Sequence, residues 1–167
     1  LLDALPPVLT GGSMITTVTM EETEFMPAPQ RFEAGTQPVA EVAAFATAIG
    51  YLSEVGLDNV LEHERELARV LLDGIAEIPG IRILGEAKDR IGTVAFDVDG
   101  VHAHDVGQYL DSQGIAVRVG HHCAQPLHRR FGVTASTRAS TYLYNNVEDC
   151  TRFISALAEV RPFFGVA

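Results

Sequence analysis

Apolar side chains recur at three- and four-residue intervals from residue 39 onward. Val39, Val42, Ala43, Ala46, Ile49 and Leu52 fall on one face of a helix, and Gly56 ends the run as a C-cap. A second helix follows at once. Leu57, Val60, Leu61, Leu67, Val70, Leu71, Ile75 and Ile78 form its stripe, Glu62, Glu64, Arg65, Glu66 and Arg69 the opposite side, and Pro79-Gly80 stops it. The period then shortens to two. Ile81–Leu84 and residues 91–98 read as strands, the latter setting Ile91, Thr93, Ala95 and Asp97 against Gly92, Val94, Phe96 and Val98. A helix over 103–113 closes at Gly114, 115–119 is a short strand, 120–126 a loop and 136–142 a polar strand. The last helix carries Val147, Cys150, Phe153, Ile154, Leu157 and Val160 inward. The order β-β-α-β-β-α over 80–167 predicts an α+β unit, a mixed or antiparallel sheet with helices on one face.

Residues 1–37 differ in texture. Pro6-Pro7, Gly11-Gly12, Pro27 and Pro29 interrupt any periodicity and leave only the β-branched run Ile15–Val18 as a strand. Such a segment offers few apolar contacts of its own. The pattern therefore divides the chain into a loop-rich segment 1–37, linking helices 38–79 and a compact unit 80–167.

Charge narrows the choice of partner. The 167 residues carry 12 basic and 22 acidic side chains, a net charge of -10, which weighs against nucleic acid and anionic membranes. No run approaches the roughly 18 consecutive apolar residues of a membrane helix, and the start lacks a secretory pattern, so the expectation is a cytoplasmic protein. Cys123 and Cys150 form no CxxC and read as free thiols. Lys88 is the only lysine. The chain begins Leu1-Leu2-Asp3 with no initiator methionine, as a piece of a longer protein would.

Three clusters can carry chemistry. The first is Arg118-Val119-Gly120-His121-His122-Cys123-Ala124-Gln125-Pro126. A cysteine on a glycine-started loop after a strand, flanked by imidazoles and an arginine, is placed where a thiolate is accessible and favoured, which makes Cys123 the candidate nucleophile. Cys150 lies on the apolar stripe of the last helix and reads as core. His102, His104, His121, His122, Cys123 and His128 are zinc-type side chains, but their spacings match no zinc module, and no intrinsic metal site is expected. His63, inside an acidic helix face, reads as solvated.

The second cluster is Thr137-Arg138-Ala139-Ser140-Thr141-Tyr142-Leu143-Tyr144-Asn145-Asn146. Arg138 has no carboxylate near it in sequence. It pairs with a distant acid or awaits an anionic ligand, and guanidinium grips a carboxylate bidentately. The third, Arg31-Phe32-Glu33-Ala34-Gly35-Thr36, sets a glycine and a hydroxyl ahead of a helix, as a phosphate cradle or a plain N-cap.

Together with Gly-Gly-Ser-Met-Ile at 11–15, these motifs resemble the C-terminal part of group II, SufS-type cysteine desulfurases, pyridoxal-phosphate enzymes of aminotransferase class V and fold type I. The resemblance covers essentially the whole chain in order. It implies that Cys123 attacks the sulfur of L-cysteine, leaving alanine and a persulfide for iron-sulfur cluster assembly. It implies that Arg138 holds the substrate carboxylate with Arg118 as helper, and that Thr36 reaches the cofactor phosphate of the other subunit of a homodimer, with Gly12 and Gly11 in the same region. His104 and Asp105 are similar to the position that meets the zinc site of a SufU-type acceptor; a SufE-type acceptor is the other possibility.

In that reading 1–37 is the end of a larger domain and 80–167 the small C-terminal domain. The family's cofactor lysine lies upstream of residue 1, and Lys88, in the charged turn 86–90, is no substitute, so these 167 residues alone are expected to be inactive. Two other readings stay open: selenocysteine lyase activity within the same family, and a non-catalytic persulfide relay using Cys123. A zinc protein is the third option, and elemental analysis separates it from both.

Overall fold

The computed structural model describes residues 1–85 and 90–166 in two compact units, Leu1–Glu54 and Val55–Ala167. Lys88 and its expected turn lie outside the described residues.

In the first unit β1 (Ile15–Val18) and β2 (Thr23–Phe25) form an antiparallel hairpin. Its turn is closed by the Thr19 amide on the Glu22 carbonyl (2.9 Å) and the Glu22 amide on the Thr19 hydroxyl (3.0 Å). Strand β2 is three residues with one large apolar side chain, too short for alternation to reveal it. Arg31 serves the loops: its Nε donates to the Met26 carbonyl (3.0 Å) and an Nη to that of Asp3 (3.3 Å). The helix predicted from residue 38 is α1 (Val39–Val55), and none of its residues is buried.

The second unit runs α2 (Leu57–Ala76), β3 (Ile81–Leu84), β4 (Thr93–Val98), α3 (Ala103–Ser112), β5 (Arg118–Gly120), α4 (Gln125–Phe131), β6 (Ser136–Ser140), α5 (Val147–Ala158) and α6 (Val160–Phe163). The sheet order is β3-β4-β6-β5, and every neighbouring pair is antiparallel. The α+β architecture follows the predicted pattern, the sheet being antiparallel rather than mixed. Val94, Phe96 and Val98 of β4 meet Leu67, Leu71 and Ile75 of α2, Val106 and Leu110 of α3, and Cys150, Phe153 and Leu157 of α5. The Phe96 and Phe153 rings pack edge to face with centroids 5.9 Å apart. Burying each such side chain stabilises the fold by about 1.5–3 kcal/mol.

Several boundaries move for local reasons. The expected strand 115–119 begins only at Arg118, because the Ile115 amide bonds the Leu110 carbonyl (2.9 Å) to finish α3, with Gly114 left-handed at φ 72. Helix α4 begins at the end of the expected loop 120–126 and continues into residues given no element; Pro126 near its start and left-handed Gly132 (φ 70) at its end are the signals it does carry. His63 is not solvated as expected. It is half-buried, its Nε2 2.9 Å from the Asn145 carbonyl, a partner 82 residues away. No single helix among the described residues is long and apolar enough to cross a membrane.

Gly92 pins the end of β6 to the strand beside it. Its carbonyl accepts the Thr141 amide (2.6 Å) and the Thr141 hydroxyl (3.2 Å), and a Cβ on Gly92 would lie 2.9 Å from the Thr141 carbonyl oxygen. Backbone cannot yield as a side-chain tip can, so Gly92→Ala is expected to destabilise the protein by about 1–3 kcal/mol. A fall in the urea midpoint at unchanged slope checks this; an unchanged midpoint contradicts it.

Candidate functional site

The site is assembled where β5 and β6 run side by side. Strand β5 ends at Gly120 (φ 113), and His122 (φ 51) and Cys123 (φ 58) then take the left-handed conformation in succession. Each non-glycine residue held there costs about 1–2 kcal/mol. The Ala124 amide on the His121 carbonyl (2.8 Å) closes the turn, and α4 begins immediately after. The result is that Cys123 is exposed and free at the tip of a turn. Cys150 is 2 % exposed in the core, and its burial, then the Asp149 carboxylate, push its thiol up, away from the reactive thiolate.

Beneath the turn, three side chains are joined. The His122 Nε2 lies 3.0 Å and the His128 Nε2 2.8 Å from the Ser136 hydroxyl, while the His128 Nδ1 lies 3.0 Å from the Ala124 carbonyl. Ser136 is 0 % and His128 5 % exposed. His128 entered the sequence reading only as a possible zinc ligand and Ser136 only as strand. The signal that identifies Ser136 is its place two residues before Arg138, on the same face of β6.

Arg118 and Arg138 are direct cross-strand partners in the β5·β6 register, and so share a face. Like charges placed opposite one another repel, and no carboxylate forms an ion pair with either among the described residues. The Nε of Arg138 is buried without a hydrogen-bond partner, as is the Nδ1 of His122. Burial, then the charges of Arg138, His128 and Arg118, hold the His122 imidazole below its ordinary value of 6.5, while Ser136 acts in the opposite direction. Two guanidinium groups on one sheet face, with no carboxylate partner among the described residues, make a surface suited to an anion such as a carboxylate.

Asn145 and Asn146, downstream in the same motif, have structural work. The Tyr142 amide donates to the Asn145 side chain (3.0 Å), the Asn145 Nδ2 to the Asp149 carboxylate (3.1 Å), and Asn146 and Asp149 form a capping box that starts α5.

The remaining candidates lie elsewhere. In the first unit the Gly35 amide donates to the Gly12 carbonyl (2.8 Å), bringing Gly12 next to the turn that presents Thr36. Thr36 is exposed and precedes α1 by three residues, so it is not its N-cap, and a Cβ on Gly12 would meet nothing within 4 Å. A free hydroxyl and open backbone fit a phosphate group. His104 and Asp105 are exposed in the first turn of α3; the His102 Nδ1 accepts the His104 amide (3.3 Å) and the two rings stack at 5.6 Å. Among the described residues no group of three or more His, Cys, Asp or Glu side chains is placed to hold a metal ion.

The family model for aminotransferase class-V matches residues 1–153. A probable cysteine desulfurase 2 of Mycobacterium leprae is 52% identical over 167 residues, covering 99% of this chain and 40% of that protein. A cysteine desulfurase of Haloferax volcanii is 45% identical over 165 residues, 98% of this chain and 39% of its own length. Among solved structures, the cysteine desulfurase CsdA (S-sulfonic acid) from Escherichia coli superposes with a TM-score of 0.88 at 34% identity, over 97% of this chain and 40% of that one. The chain thus spans about 40% of the length of the relatives it matches.

The depressed imidazole has a consequence for stability. Because folding disfavours protonation of His122, the unfolded chain binds the proton more readily, and stability falls as the pH drops below about 6.5, levelling off beneath the folded value. His122→Asn is expected to lose less stability than the unsubstituted protein between about pH 7.5 and about pH 5.5. Urea midpoints at the two pH values check it; parallel losses contradict it.

Proposed function

This chain belongs to the aminotransferase class-V family, and on that basis we propose that it is the sulfur-accepting part of a pyridoxal-phosphate-dependent cysteine desulfurase. The observation that carries the reading is the exposed Cys123 turn set against two cross-strand arginines that lack carboxylate partners. Arg138, with Arg118 beside it, holds the carboxylate of L-cysteine by charge-assisted hydrogen bonds. That fixes the substrate sulfur relative to the Cys123 thiolate.

The thiolate attacks that sulfur. An S–S bond forms as the C–S bond breaks, the electron pair leaves on carbon, and a proton added there gives alanine, with the transferred sulfur left as a persulfide on Cys123. The cofactor, when bound, supplies the electron sink for that pair. Thr36 and the open backbone at Gly12 contribute to holding its phosphate, in a homodimer where they serve the partner's site. The same reading makes 1–37 the end of the large domain, 38–79 linking helices and 80–167 the small domain.

His104 and Asp105, exposed on α3, are the proposed contact for a SufU-type acceptor, which carries the persulfide sulfur on to iron-sulfur cluster assembly in the cytoplasm; a SufE-type acceptor is the alternative partner. His104→Ala is then expected to slow transfer to a SufU-type acceptor while leaving alanine formation unchanged; unchanged transfer removes this contact from the account.

The intact enzyme tests the chemistry. Cys123→Ala is expected to reduce alanine release from L-cysteine to background, with Cys150→Ala retaining it. Arg138→Lys keeps the charge but loses the fork, and is expected to raise KM for cysteine about 10- to 100-fold, corresponding to a charged hydrogen bond of about 1.5–3 kcal/mol. Full turnover without Cys123 contradicts the nucleophile assignment, and an unchanged KM contradicts that of Arg138.

A further inference from the structure

The hydrogen bonds that join His128, Ser136 and His122 under the Cys123 turn run in one direction. The Ala124 carbonyl can only accept, so the His128 Nδ1, 3.0 Å away, carries a hydrogen. A neutral imidazole has one N–H, which leaves the His128 Nε2 bare. The Ser136 hydroxyl has one hydrogen and donates it to that nitrogen at 2.8 Å. Toward His122, at 3.0 Å, the same hydroxyl must then accept, so the His122 Nε2 carries the hydrogen and its Nδ1 is bare. That bare nitrogen is buried with no partner, and so is the Arg138 Nε, a group that can only donate.

The two orphans are complementary, and strand β6 relates the groups that carry them. Ser136, which holds the His122 ring, and Arg138 are consecutive side chains on one face of β6. After burial, Arg138 is the strongest influence on the His122 imidazole. Unsatisfied buried polar groups are costly and rare, and here an acceptor on the imidazole that Ser136 holds and a donor on Arg138, two positions along the strand from Ser136, are both unsatisfied.

We propose that Ser136 and His128 are positioning residues for carboxylate binding: they hold His122 with a bare Nδ1 that takes the Arg138 Nε–H when a carboxylate engages the guanidinium. The inference rests on the reading of Arg138 as the substrate-carboxylate residue. Its order runs from the Ala124 carbonyl through His128, Ser136 and His122 to Arg138, and so couples the Cys123 turn to the group that grips the substrate. With Nε occupied by His122, the two Nη nitrogens are left to form the bidentate edge. Neutral His122 is required, because a proton on Nδ1 would remove the acceptor and add a positive charge to a site that already holds Arg138 and Arg118.

Two measurements on the intact, cofactor-loaded enzyme test this. Neutron diffraction of the deuterated protein is expected to show deuterium on the Nε2 but not the Nδ1 of His122, and on the Nδ1 of His128; deuterium on the His122 Nδ1 overturns the proposal. Ser136→Ala is expected to weaken binding of L-alanine, followed by the change in cofactor absorbance, about tenfold, the size of one lost charge-assisted hydrogen bond. Binding of cysteamine, which has no carboxylate, stays unchanged, and Ser136→Thr, which keeps the hydroxyl, restores alanine binding. Equal loss for both ligands indicates a merely structural role and overturns the proposal, as does no loss for either. L-alanine binding needs no turnover, so an enzyme that failed to release alanine from cysteine would refute the proposed function and leave this test readable.

Discussion

The alternation of strand β6 is the constraint on which the rest depends. Its odd positions, Thr137 and Ala139, are buried against the helices, and its even positions, Ser136 and Arg138, face the other way beneath the cysteine turn. A slip of one residue would exchange the two sets, putting a guanidinium into the core and an alanine into the site. Fixing the register thus fixes the chemistry. Antiparallel pairing with β4 on one side and β5 on the other, and the close passage at Gly92, hold that register, while the packing of Phe96 against Phe153 anchors the neighbouring strand.

The turn that presents Cys123 is costly. Two consecutive left-handed residues and two opposed arginines all work against folding, and the hydrogen-bonded His122–Ser136–His128 chain is the compensation visible in the structure. Strain and unbalanced charge gathered at one place are what a binding surface looks like before its ligand arrives. Cys150 shows the opposite arrangement: buried, apolar in its surroundings and with its thiol pushed up, it packs and does nothing else.

Much of this was legible in the sequence because periodicity and punctuation agreed. Gly56 and Pro79-Gly80 bracket α2, and the Val94, Phe96, Val98 alternation reads directly as a strand with one buried face. The cysteine motif and Arg138 stood out as side chains whose neighbours gave them no structural partner. What escaped depended on long-range pairing. That Arg118 faces Arg138 is a matter of register, which no local pattern encodes. His63 found its partner 82 residues away, and α4 is a seven-residue helix whose Leu127 is exposed, too short to show a period. The hydrogen bonds of Ser136 with His122 and His128 are visible only as distances, since a serine in a polar strand and a histidine among arginines carry no signal of their own.

In the proposed function sulfur is delivered to Cys123 and not to Cys150. Incubating the intact enzyme with cysteine labelled at sulfur and mapping the label by peptide mass spectrometry measures this directly. One labelled sulfur is expected on the peptide containing Cys123 and none on that containing Cys150, whereas label on Cys150, or on neither, would contradict the proposed function.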